Sequence, residues 1–397
     1  LTRRLLHMNN VRWEVIRLVN AAMIPAGLNE YGLRFLSLLT DCCLLVLTCA
    51  FSRRVFDNLT TLAATVTVSF FFLFVYYAQE FKQYSAEATA SMLLLYLYFS
   101  GRGRVVLFFT GLAAMLFSSP VVFLLFGLGI GMFYREARLA GWYKAVIRLL
   151  PVGIGWLLFF AAYYLAYLKP NSHPGFYVYW ECWFFPTSNI SAWTLAVRDD
   201  FARLMGSVVL ANLALFILAG AVILGFLSLW QRNRLLFTVT TAATLSLCLA
   251  SAFKMYPLYP RLLHFILPLY VLCLCNAVSW TVSGLLRIAE SPASALKVSR
   301  TIAAGVLLVL AAGTATHTGM KIVQDADPSR QRGIKHALPA ILEYHARYQS
   351  PVYTAYPNPH TLPFYTGSGG LRTAGDLAAV QMFSLDALPS NAASGSD

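Results

Sequence analysis

The chain has 397 residues, 58 % of them hydrophobic and 12 % charged, with a formal net charge of +13. Soluble domains carry about 45–50 % apolar and about 25 % charged residues, so disorder, a coiled coil, a collagen and a disulfide-stapled secreted module are excluded in favour of a multi-pass membrane protein. The positive excess suggests nucleic acid at first sight, but its distribution follows membrane topology, and no nucleic-acid partner is expected.

In chain order, residues 1–32 form an amphipathic stretch. Val11, Val15, Leu18, Val19 and Ala22 mark one face, while Arg3, Arg4, Arg12 and Arg17 carry charge. This pattern predicts an extracytoplasmic helix lying in the interface plane, with an ordinary solvated helix as the alternative. Apolar runs follow at 33–51, 60–78, 84–100, 104–118, 120–134, 148–168, 205–230, 235–253, 262–286 and 301–316. A helix needs about 20 mostly apolar residues to span a bilayer, so six of these runs are clear spans and four are short. The expected fold class is an all-α polytopic membrane protein, with about ten transmembrane helices across 33–316. Ser118-Ser119-Pro120 reads as a tight turn between two short helices, with a re-entrant pair as the alternative. Residues 317–366 read as a small extracytoplasmic α/β segment, with a helix over 336–347 and a strand over 351–356. The Gly/Ser/Ala-rich stretch 367–397 reads as a disordered tail.

Charge counting orients the bundle. The connections 52–59, 100–104, 135–148, 231–234 and 287–300 hold thirteen Lys/Arg and only three acids, Asp57, Glu136 and Glu290. The intervening connections 79–83, 169–204 and 254–261 hold six Lys/Arg, and most of the acids fall on that side. Positive residues stay cytoplasmic, which places the second set outside. Six of the seven cysteines lie in apolar runs and Cys182 alone lies in a polar loop, so neither a disulfide framework nor a zinc site is implied.

The unusual polar residues gather on the outer side. Gln79-Glu80-Phe81-Lys82-Gln83-Tyr84, followed by Glu87, reads either as a solvated hairpin or as a polar cluster at a cavity mouth. The long loop 169–204 contains Trp180, Glu181 and Trp183 among many aromatics, which suits sugar rings or an interfacial aromatic belt. Tyr259-Pro260-Arg261 is expected to open the helix of 262–286. His264 would then share a helix face with Arg261, and the helix start and the guanidinium could hold a phosphate together. The alternative is an arginine snorkelling to lipid headgroups. Asp41, among Leu and Cys within a span, reads as a buried partner or as part of a polar pathway. Gly127 and Gly131 read as a helix-packing pair. No nucleotide-binding or hydrolase motif occurs.

In their order and topology these residues resemble the integral-membrane glycosyltransferases of the GT-C class, nearest to the aminoarabinose and protein-mannosyl transferases. The resemblance rests on Ala26–Leu39, on Tyr77-Ala-Gln-Glu80-Phe-Lys82-Gln-Tyr84, on Leu116–Phe123, on Tyr179-Trp180, on Tyr259-Pro-Arg261 and on Pro351–Tyr365. It implies transfer of a sugar from a polyprenyl-phosphate donor to a lipid, glycan or protein acceptor outside a bacterial inner membrane. It implies Arg261 and Lys82 on the lipid phosphate, Glu80 and Tyr84 shaping the sugar site, Trp180 and Glu181 toward the acceptor, and His264 as a further substrate-binding residue. No cofactor or metal ligand is read, with a divalent cation left open. The family's catalytic Asp precedes its interfacial helix, so that residue is expected upstream of Leu1, in a first loop after a first helix. The other reading is a secondary transporter, or a lipid- or polysaccharide-handling membrane protein without transferase activity.

Overall fold

The computed structural model describes residues 30–79, 83–170, 180–185, 191, 194, 198, 208–288, 301, 305, 312–316, 318–319, 352–354 and 380–382. The expected interfacial helix of 1–32 and the helix of 336–347 lie outside these residues, apart from the first turn of α1. The chain divides into two units, Leu1–Thr318 and Gly319–Asp397.

The first unit is helical. Its elements are α1 (Glu30–Val55), α2 (Asn58–Phe70), α3 (Phe72–Gln79), α4 (Tyr84–Phe99), α5 (Arg104–Phe117), α6 (Val121–Ala140), α7 (Trp142–Tyr163), α8 (Val208–Arg232), α9 (Arg234–Ala252) and α10 (Leu267–Ile288). Three stretches are long and apolar enough to cross a membrane, Phe35–Val55, Trp142–Ala166 and Arg234–Ala252. The run 60–78, expected as one span, is instead the pair α2 and α3, bent by 49°. α4 and α5 have 16 and 14 residues. At 1.5 Å per residue they rise only about 24 and about 21 Å, short of a hydrocarbon core of about 30 Å.

Local sequence accounts for the helix ends. Asp57 accepts the Thr60 N–H at 2.8 Å and caps α2. Asn233 accepts the Leu236 N–H at 2.9 Å and caps α9. Ser118-Ser119-Pro120 forms the expected tight turn between α5 and α6. α6 runs past the expected 134 to Ala140, where Gly141 takes a φ of +85° that an L side chain rarely adopts. α7 starts at Trp142, before the expected 148, and continues through Pro151 into a π-turn at Tyr164–Leu168.

The most extensive packing is between α6 and α9, followed by α1 with α4 and α8 with α10. The core is built from Leu44, Met92, Leu95, Met115, Leu124, Leu128, Val239 and Leu272, all nearly inaccessible. Val105, Leu157 and Val46 remain exposed, a pattern compatible with membrane association. A polar clasp ties three helices at the α2 start. Ser279 donates to Asp57 Oδ2 at 3.1 Å, Arg232 lies 3.6 Å from the same oxygen, and Arg232 donates to Asn276 Oδ1 at 3.1 Å.

In the second unit, β1 (Val352–Thr354) pairs in parallel with β2 (Val380–Met382). β1 falls within the strand expected over 351–356. β2 falls within 367–397, expected to be disordered, so these three residues of the tail have a defined pairing.

Candidate functional site

The connection between α9 and α10 is where the fold brings the aromatic residues together. α9 ends in a turn closed by the Met255 N–H on the Ala250 carbonyl at 2.8 Å, with Lys254 at a φ of +57°. The following residues receive a short segment of the long 169–204 loop. The Leu258 N–H donates to the Trp183 carbonyl at 2.8 Å, and the Phe185 N–H donates to Ser251 Oγ at 2.9 Å. Two backbone donors are thus satisfied across two loops far apart in sequence, which fixes the 3₁₀ turn Glu181–Trp183 against the start of Tyr259-Pro260-Arg261.

Tyr259 sits at the centre of the contact. Its ring lies 4.6 Å from that of Trp183, edge to face, and 5.2 Å from that of Trp180. The Arg261 guanidinium lies 5.0 Å above the Trp180 ring and 5.2 Å above the Tyr259 ring. Both are cation–π distances, which hold a half-buried charge in place without neutralising it. Arg261 Nε has no hydrogen-bond partner among the described residues.

Three residues on, His264 is fully buried against Phe74 at 4.6 Å, Tyr77 at 5.3 Å and Tyr84 at 6.3 Å between ring centroids. Tyr77 and Tyr84 also contact each other at 4.5 Å. Neither ring nitrogen of His264 finds a partner among the described residues. His264 precedes α10 and lies outside any spanning helix, and burial pushes its pKa down to about 3. It is therefore neutral at ordinary pH, with one N–H to donate and one nitrogen to accept. Arg261 acts electrostatically on the Tyr77 hydroxyl, so the Arg261–Trp180–Tyr259 group and the His264–Tyr77–Tyr84 group adjoin.

Two expectations are corrected here. Residues 260–266 are a run of turns and α10 begins only at Leu267. Arg261 and His264 therefore do not share a helix face, and no helix N-terminus stands beside Arg261. The Leu262 and Leu263 N–H groups both return to the Tyr259 carbonyl, at 2.8 and 3.1 Å, which winds the chain into turns and takes up donors that a phosphate would need. Arg261, lying over the Trp180 and Tyr259 rings, remains as the charged group of the site.

Of the residues singled out from the sequence, Tyr84, Trp180, Arg261 and His264 meet in this region. Glu181 is exposed at the start of the 3₁₀ turn. Glu80 and Lys82 lie outside the described residues. Phe74, Tyr77, Trp183 and Tyr259 complete the arrangement and were not assigned to a site from the sequence. Their signal, aromatics flanking each polar turn, is shared with any interfacial belt. Among the described residues no three His, Cys, Asp or Glu gather as a metal site would require. Comparison of the chain with protein-family models, curated proteins and solved structures found no match.

Proposed function

We propose that the protein is a membrane glycosyltransferase that takes a sugar from a polyprenyl-phosphate-linked donor and passes it to an acceptor on the outer face, within the ten-span topology that the charge distribution describes. The observation that carries this reading is Arg261, held over both the Trp180 and Tyr259 rings, with its Nε without a hydrogen-bond partner among the described residues. A cation fixed on aromatic faces suits a ligand that joins an anion to a ring. The guanidinium meets the phosphate and the indole meets the C–H face of the sugar. The half-buried Tyr84 would offer its hydroxyl to the sugar, while His264 and Tyr77 are buried.

In such a transfer the phosphate leaves as the acceptor hydroxyl attacks, and negative charge grows on the phosphate oxygen. Arg261 would oppose that charge in the leaving step, which is transition-state stabilisation and not only binding. Its location on a loop at the outer end of the bundle matches a lipid phosphate at headgroup depth, with the polyprenyl chain in the hydrocarbon.

The test uses the protein in lipid nanodiscs, with a short-chain polyprenyl-phosphate sugar as donor and the matching phosphate-free polyprenol as control. Native mass spectrometry should find the phosphate-linked lipid retained by the wild type, and Arg261→Ala and Trp180→Ala should each lose it. Equal retention of lipid and control, or no retention of either, would remove the reading. Uptake of a free solute into proteoliposomes without lipid-donor retention would favour a transporter instead.

A further inference from the structure

Two hydrogen bonds set α5 beside α7 in parallel. Arg104 donates to the Arg148 carbonyl at 3.3 Å, and Trp156 Nε1 donates to the Phe108 carbonyl at 3.1 Å. The first turn of α5 is therefore level with Arg148, which lies well inside α7. Arg148 also donates to Glu136 Oε2 at 3.2 Å, which brings that part of α6 to the same level. α6 runs on to Ala140 before Gly141 turns the chain into Trp142. At 1.5 Å per residue, α7 begins about 9 Å beyond the start of α5. The result is a step, with the α4–α5 turn at its foot and the α6–α7 hairpin projecting past it.

The step is basic. Residues 100–104 and 135–148 hold Arg102, Arg104, Arg135, Arg138, Lys144 and Arg148 against one acid, Glu136. All six cations are exposed, and Glu136 is already bonded to Arg148. Arg138 is held along α6 by the Tyr134 hydroxyl at 3.0 Å, with its guanidinium 5.7 Å from that ring. The projecting end is apolar as well. Leu139, Trp142 and Tyr143 are 74, 70 and 64 % exposed.

Cations alone would suit any polyanion. The exposed Leu139 and Trp142 decide for a lipid surface, because Trp142 opens the stretch Trp142–Ala166, long and apolar enough to cross a membrane. Trp and Tyr at the end of such a stretch sit at headgroup depth. Basic clusters beside it attract anionic lipid. The shortness of α5 adds to the argument. Its 14 residues rise only about 21 Å, so its basic start falls short of the headgroups of an undeformed bilayer. A headgroup lowered onto the step closes that gap.

We propose that this step binds the headgroup of an anionic phospholipid. Arg102, Arg104 and Arg148 meet the phosphate at the foot, Arg138 and Lys144 extend the basic surface along the hairpin, and Leu139 and Trp142 enter the acyl boundary. The surface lies on residues other than the Arg261 group, so it does not rest on the sugar-transfer reading.

The full chain in an uncharged detergent is mixed with dioleoyl-phosphatidylglycerol or dioleoyl-phosphatidylcholine, which differ only in headgroup, and bound lipid is counted by native mass spectrometry. The wild type should prefer phosphatidylglycerol by at least about fivefold, the effect of one well-placed charge. Arg138→Gln with Lys144→Gln removes two exposed charges and should weaken that lipid by about 25-fold, at about fivefold each. Arg53→Gln with Arg234→Gln removes two exposed charges on α1 and α9 and should change it by less than about twofold, since neither lies on the step. Equal retention of the two lipids by the wild type overturns the proposal without recourse to any variant. Equal losses in the two double variants overturn it too, by showing attraction to net charge and no site. Retention of a short oligonucleotide in place of phosphatidylglycerol would assign the step to nucleic acid instead.

Discussion

Gly127 on α6 lies so close to Val239 on α9 that a Cβ at Gly127 would stand 2.5 Å from the Val239 carbonyl oxygen. One turn on, a Cβ at Gly131 would meet Val239 Cγ2 at 2.5 Å. The Gly-x-x-x-Gly pair is therefore a point of close approach of the most extensively packed helices, as in small-residue interfaces in membranes. At Gly127 the obstacle is backbone, which cannot swing aside. Gly127→Ala should lower stability by about 1–3 kcal/mol, the range for overpacking. Gly129→Ala, with open space around the new methyl, should be neutral or stabilising by up to about 1 kcal/mol. Thermal unfolding of both variants in one detergent checks the contrast, and equal melting temperatures would contradict it.

That packing pair was legible because glycine spacing and close approach are linked directly. The helices were legible for the same reason, since apolar length translates into rise. The 49° break between α2 and α3 was not, because Phe70-Phe71-Phe72 carries no Pro or Gly to mark it. The site was legible in part. Trp180, Arg261, His264 and Tyr84 stood out as polar or aromatic residues at apolar run ends, but their partners did not. Tyr259 is set by the backbone bond between Leu258 and Trp183, and a contact between loops some 75 residues apart leaves no periodic trace. The late start of α10 was hidden because Leu262, Leu263, Phe265 and Ile266 are apolar whether the backbone is helix or turn.

Asp57 should give an acid-side dependence of stability. Partial burial raises its pKa, but the Thr60 hydrogen bonds, the Ser279 hydroxyl and the Arg232 charge outweigh that and hold it below its ordinary 3.8. A depressed carboxyl contributes stability that is present above the unfolded pKa and is lost as pH falls through the folded one. Melting temperature should therefore be insensitive to this group between pH 5 and 8, taken as about the neutral range. It should fall only below about pH 4. Asp57→Asn keeps a good N-cap and removes the titration, so its acid-side decline should be shallower. Asp57→Ala loses the cap as well, at about 1 kcal/mol. The half-exposed ion pair with Arg232 adds little to either figure.

The charge distribution predicts sidedness. Arg138 lies in the last turn of α6 among basic residues, whereas His173 lies in the long aromatic loop. In a Cys182→Ser background, which removes the native thiol of the same loop, a membrane-impermeant maleimide added to intact cells should label His173→Cys and spare Arg138→Cys until the cells are opened. The native Cys42 and Cys43 are exposed only on the apolar span of α1, where such a reagent does not reach. Labelling of Arg138→Cys alone would invert the orientation and put the aromatic site inside.

Arg261→Lys separates a phosphate site from a lipid anchor. Both side chains can reach headgroups from the end of a membrane bundle, so an anchoring role should tolerate the exchange. A phosphate held on the planar fork should not, since lysine offers a point charge and loses the paired donors. The aromatic faces sharpen the difference. The guanidinium lies over Trp180 and Tyr259 at 5.0 and 5.2 Å, and its buried Nε has no hydrogen-bond partner among the described residues, whereas an ammonium on a flexible stem has no such preferred plane. Donor-lipid binding should weaken by about 1–3 kcal/mol, the scale of a hydrogen bond to a charged group. The fold should be unchanged, because the backbone links from Trp183 to Leu258 and from Ser251 to Phe185 do not involve the Arg261 side chain. Affinity for the same polyprenyl-phosphate sugar, measured for both proteins in identical nanodiscs, decides the matter. Equal affinities would make Arg261 an anchor and move the phosphate site elsewhere.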